Sequence, residues 1–125
     1  MAKLTDLTEL DLQLTSFTAN GCKALSKFSS LEKLDLSACR IGEFGLAYLF
    51  PSGSISNLKV LELRFNLHLD EKSLKLLLTH TPKLEVLNVQ SCNLTRNSAR
   101  SVFLSLQRRG VTIKVDRYLE GVPDT

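Results

Sequence analysis

The sequence holds no tryptophan, two tyrosines and six phenylalanines, and leucine dominates its apolar residues. A core built this way has many equivalent positions filled by one repeated side chain, which points to internal repetition. Three cysteines, Cys22, Cys39 and Cys92, form an odd set without paired spacing. That argues against a disulfide framework and for free thiols in a reducing compartment, so the expected location is intracellular, cytoplasmic or nuclear. No apolar run approaches the roughly 18 residues that span a bilayer. The start, Met1-Ala2-Lys3-Leu4-Thr5-Asp6, lacks the apolar stretch of a secretory signal, and the glycosylation triplet Asn93-Leu94-Thr95 carries little weight without one. Neither sign of charge prevails: 16 basic and 13 acidic residues leave a net +3, which gives no strong reason to expect nucleic acid or an anionic membrane.

Chemistry-bearing motifs are also absent. There is no glycine-rich phosphate loop and no Gly-x-Ser-x-Gly. His68 and His80 have no second ligand at metal spacing, and Cys39 and Cys92 have no partner for nucleophilic or redox work. The expectation is a protein that is not an enzyme, with no catalytic residue, cofactor or metal.

The sequence does contain a repeat. Leu7-Thr-Glu-Leu10-Asp-Leu12, Leu31-Glu-Lys-Leu34-Asp-Leu36, Leu58-Lys-Val-Leu61-Glu-Leu63 and Leu84-Glu-Val-Leu87-Asn-Val89 are four copies of one pattern. A worn fifth copy follows at Gly110-Val-Thr-Ile113-Lys-Val115. The copies begin near 7, 31, 58, 84 and 110. Three residues after the last strand position stands Thr15, Cys39, Asn66 or Cys92, and two further on Phe17, Ile41, His68 or Leu94.

This pattern, L-x-x-L-x-L-x-x-(N/C)-x-L, resembles the leucine-rich-repeat family. The unit length and the cysteines at the N/C position are similar to its ribonuclease-inhibitor-like and cysteine-containing subclasses, the latter common in F-box proteins. The resemblance covers nearly the whole chain. It implies a protein-interaction role, as adaptor or substrate-recognition part of an assembly such as a ubiquitin ligase. The alternative it implies is a regulatory domain of a GTPase activator or an innate-immune sensor.

Alternation x-L-x-L-x makes a short strand with leucines on one face. Apolar residues at helical spacing then return the chain: Phe17, Cys22, Leu25 and Phe28; Leu69, Leu74, Leu77 and Leu78; Leu94, Ala99, Val102, Phe103 and Leu106. Thr18, Asp70 and Thr95 are the expected N-caps. Phe50-Pro51-Ser52-Gly53-Ser54 is expected to end the second helix in a loop. Parallel strands need right-handed crossovers, so the predicted fold is α/β: a right-handed solenoid of four full repeats and a fifth strand, with strands concave and helices convex. One domain, 1–125, is expected. Leu4-Thr-Asp-Leu7 aligns with Phe28-Ser-Ser-Leu31, so an N-terminal cap is expected to be missing and its place taken by another chain or further repeats.

The predicted partner is a protein, bound on the concave face. Its rows are Glu9, Lys33, Val60, Val86 and Thr112; Asp11, Asp35, Glu62, Asn88 and Lys114; and Gln13, Ser37, Arg64, Gln90 and Asp116. Asp11, Asp35 and Glu62 form an acidic strip suited to a basic partner, or a solvated face. Arg64 and Phe65, with Val60 and Val86, form the candidate anchor, since arginine and aromatics are enriched in interface hot spots. The opposing reading folds Phe65 against the loop after it. Arg96, Arg100, Arg108 and Arg109 follow as a weaker candidate for phosphate; the alternative is a solvated helix face, with the late arginines also favourable at the helix C-terminus. Nucleic acid is therefore the least favoured partner.

Overall fold

A computed structural model of the protein describes residues 6–14, 24–25, 27–40, 56–92, 94 and 96–116. Five three-residue strands form one parallel sheet in sequence order: β1 (Glu9–Asp11), β2 (Lys33–Asp35), β3 (Val60–Glu62), β4 (Val86–Asn88) and β5 (Thr112–Lys114). Helix α1 (Glu71–His80) connects β3 to β4, and α2 (Arg96–Arg108) connects β4 to β5. The arrangement is an α/β repeat fold.

The register follows the sequence repeat residue for residue. Leu10 pairs with Leu34, Leu34 with Leu61, Leu61 with Leu87 and Leu87 with Ile113. A one-residue slip would turn every leucine to the opposite face, so the buried face fixes the pairing. The ladder also continues beyond each strand: the amides of Leu14, Ala38 and Phe65 donate to the carbonyls of Ser37, Arg64 and Gln90.

The core lies between the sheet and the helices. Leu34, Leu61 and Leu87 join Leu31, Leu58, Leu36, Leu63 and Val89 from the strand flanks, and Leu74, Leu77, Ala99, Val102, Phe103 and Leu106 from the helices. The apolar spacing of each helix thus buries one face against β3 to β5. Asp70 caps α1 as expected, its carboxylate accepting from the Ser73 amide and hydroxyl, both at 2.9 Å. Leu25 is buried and Phe28 half-buried in the segment after β1. The expected caps Thr18 and Thr95 and the loop 50–54 lie outside the described residues.

Leu7, Leu10 and Leu12 are only half-buried, whereas their equivalents Leu31, Leu34 and Leu36 are fully covered. The third unit departs from the repeat after its asparagine. His68 stands exposed where the pattern places a core residue, and Leu69, one position later, is buried instead.

Candidate interaction surface

Three of the strands, β1, β2 and β4, end in a turn built from the same parts. The Oδ1 atoms of Asp11, Asp35 and Asn88 accept from the amides two residues on, those of Gln13, Ser37 and Gln90, at 2.9 to 3.0 Å. A short polar side chain bent back on its own backbone is what favours Asp and Asn at turn starts. Glu62 is one methylene longer. It lies 3.8 Å from the Arg64 Nε, and the Arg64 amide donates instead to the Ser37 hydroxyl of the neighbouring unit at 3.1 Å.

This geometry corrects one expectation. Asp35, Ser37 and Asn88 were expected to face solvent by alternation, yet all three are buried. Their side chains fold over the turn amides between strands roughly 4.8 Å apart, where flanking residues cover them. The acidic strip therefore consists of an exposed Asp11, a buried Asp35 engaged with its turn, and a half-buried Glu62.

The N/C position ties the turns together. The Asn66 Nδ2 donates to the Leu36 and Leu63 carbonyls at 3.0 Å and to that of Arg64 at 3.3 Å, while its Oδ1 accepts from the Cys39 amide at 3.1 Å. The two cysteines do half of this work. Cys39 Sγ donates to the Leu12 carbonyl and Cys92 Sγ to that of Leu63, both at 2.9 Å. Burial pushes the Cys92 thiol up to about 11, so it stays protonated and donating at neutral pH. Both thiols are buried.

The position before the N/C residue is left-handed in four successive units. Leu14, Ala38, Phe65 and Ser91 have φ of 66°, 55°, 60° and 58°. Such values cost a non-glycine residue about 1 kcal/mol or more, and bulky side chains are rare there. Two of the four are large and apolar and yet point outward: Leu14 is 83% exposed and Phe65 56%. Leu67, just beyond, is 61% exposed. Phe65 thus leaves more than half of its surface to solvent. Arg64 and the flanking Val60 and Val86 are half-buried beside it, and Gln13 and Gln90 are exposed.

Two shallow hollows mark the strand side of the molecule. One, of about 330 Å³, is lined by Glu9, Leu10, Asp11, Lys33 and Asp35 and lies in the middle of the β1–β2 pair. The other, of about 350 Å³, lies at the strand starts between Thr8, Ser30, Glu32, Asn57, Lys59 and Lys83. Its polar groups are engaged with one another. Lys59 meets Glu32 at 3.0 Å, and the hydrogen bond and charge of Glu32 raise the lysine above its ordinary pKa. Lys83 donates to Asn57 Oδ1 at 2.9 Å, and Asn57 Nδ2 to the Ser29 carbonyl.

The arginine cluster separates. Arg109 donates from Nη1 to the Leu78 carbonyl at 3.1 Å and from Nη2 to that of Thr81, capping the C-terminal end of α1. Arg100 and Arg108 are exposed along α2, and the side chain of Arg96 lies outside the described residues. Sequence spacing could not reveal Arg109's reach, because its acceptors are 28 and 31 residues away. Among the described residues no group of His, Cys, Asp and Glu could hold a metal ion, and no helix is long and apolar enough to cross a membrane.

Five in-register strands, three of them closed by an Asn or Cys turn and, among the described residues, two followed by a helix, make a leucine-rich α/β repeat. A family model described as Leucine Rich repeat matches residues 3–26, the stretch containing β1, and supports a leucine-rich-repeat family. Repeats of this kind are typically interaction modules without catalytic activity, which suggests a protein partner. No curated protein matches the chain.

Proposed function

We propose that this chain is a protein-interaction module that binds its partner on the sheet face opposite the helices. In this reading the units stack as one right-handed solenoid over 1–125, with strands concave and helices convex. The observation carrying it is the row of outward side chains, in strict register across five strands, beside exposed Phe65 and Leu14. Strand spacing makes this face roughly 20 Å wide, suited to a helix or loop rather than a whole domain. The contact residues are Asp11, Gln13, Lys33, Asp35, Val60, Glu62, Arg64, Phe65, Val86, Asn88 and Gln90. Of these, Asp35 and Asn88 act through the turns they hold.

The finer reading is an adaptor or substrate-recognition part of a larger intracellular assembly such as a ubiquitin ligase. The cysteine-containing turn and two buried, hydrogen-bonded thiols support a reducing compartment. Half-buried Leu7, Leu10 and Leu12 support a second contact at the β1 edge, with another chain or further repeats.

Buried Asp35 is a poor target for testing the face, since its loss would disturb the turn. Glu9 and Asp11 are exposed, and the turn bond of Asp11 to the Gln13 amide lies at the surface, so Glu9→Lys with Asp11→Lys tests it with a melting temperature as control for the turn. Affinity capture with the wild type and this double variant should yield a partner that only the wild type retains, at equal melting temperatures. Identical capture by both would overturn the reading.

A further inference from the structure

The fold leaves an apolar row unused at the C-terminal ends of the strands. Leu14, Ala38, Phe65 and Ser91 occupy one turn position in four successive units, all left-handed. An exposed left-handed position is best filled by glycine or asparagine. Leu14 and Phe65 instead keep the strained backbone while burying little of their surface. Folding alone gives no reason for them.

The row alternates in size: Leu14, then Ala38, then Phe65, then Ser91. With strands roughly 4.8 Å apart, the two ridges are about 10 Å apart, and so are the two notches at Ala38 and Ser91. An α-helix advances 1.5 Å per residue, so its positions i and i+7 are about 10.5 Å apart on nearly one face. An extended segment covers that distance in about three residues, which turns the two side chains to opposite faces. The spacing therefore selects a helix lying across the strands. Charge selects its character, since the hollow beside β1 and β2 presents Glu9, Asp11 and Asp35 against Lys33 alone.

We propose that this row seats a basic amphipathic helix of a partner protein. Its apolar side chains at i and i+7 enter the notches at Ala38 and Ser91, Leu14 and Phe65 stand between and beside them, and Leu67 extends the apolar contact. Lysine or arginine on the flank faces the Glu9–Asp11 hollow. The proposal rests on the open strand face being the interaction surface and specifies what occupies its rim.

The probe is a phage-displayed library of 16-residue peptides selected on the immobilised chain. Enriched peptides are then labelled and titrated by fluorescence anisotropy. Three variants are compared: Leu14→Ser with Phe65→Ser, which removes the ridges; Ala38→Phe, which fills a notch; and Glu9→Lys with Asp11→Lys. Thermal melts verify that each is folded. The expected peptides carry apolar residues seven apart and an excess of Lys and Arg, gain helical circular dichroism on binding, and lose at least tenfold in affinity for all three variants. No enrichment, acidic or non-helical winners, or affinity unchanged by the two rim variants would overturn the proposal. Peptides sensitive only to Glu9→Lys with Asp11→Lys would retire the helix and leave the open-face reading standing. Insensitivity to every variant would retire both.

Discussion

Asn66 is the residue on which the turn geometry converges, its fully buried amide linking the carbonyls of two units to the Cys39 amide. Asn66→Ala should cost about 3 kcal/mol, because several buried backbone groups lose their partner at once, and urea denaturation measures this. Cys92 makes a pH-dependent contribution. Its folded pKa stands near 11 against an ordinary 9.0, so the folded state holds the proton longer. The associated stability is complete below pH 9 and is lost as pH rises through 11, on the order of 2 kcal/mol. Denaturation midpoints between pH 8 and pH 11 should fall less steeply in Cys92→Ala than in the wild type; equal slopes would contradict the assignment. At Phe65 the balance runs the other way. Phe65→Asn keeps a side chain that tolerates the left-handed region and gives up little burial, so it should raise stability by about 0.5–1 kcal/mol in a thermal melt.

At the scale of elements, the strands and the helices following β3 and β4 were legible because burial repeats with fixed periods. Leu10, Leu34, Leu61, Leu87 and Ile113 announce one core-facing strand position each, and Leu74, Leu77, Val102, Phe103 and Leu106 announce helical faces. The N/C position was legible as a recurrence at Cys39, Asn66 and Cys92, although its backbone partners were not. What stayed hidden depends on where a backbone amide points. The engagement of Asp35 and Asn88 with their own turns, the strained φ of Leu14 and Phe65, and the missing bond that Glu62 leaves to Ser37 are facts of local geometry. Arg109 is the longest-range case, as it joins the turn after α2 to the end of α1. Arg109→Ala should lower stability by about 1 kcal/mol, and so should the loss of the opposite cap in Asp70→Ala. A double-mutant cycle should find the two nearly additive, since they act at opposite ends of one helix.

Across the whole molecule every strand touches only its neighbours, so stability accumulates through interfaces between successive units. Leu61 stands in the middle strand and is almost fully buried. Leu61→Ala should cost about 2–4 kcal/mol, and hydrogen exchange should show protection falling on both sides of β3 rather than within its own unit. The turn ladder also has a direction. The strand-end carbonyls of Leu12, Leu36 and Leu63 receive Cys39, Asn66 and Cys92, each 27 to 30 residues later in the chain. At Leu63 the bond is doubled, since Asn66 of the same unit also donates to that carbonyl at 3.0 Å. On the ribosome, the bonds to the Leu12 and Leu36 carbonyls can therefore form only after the following unit has emerged, so at these two turns folding trails synthesis by about one repeat.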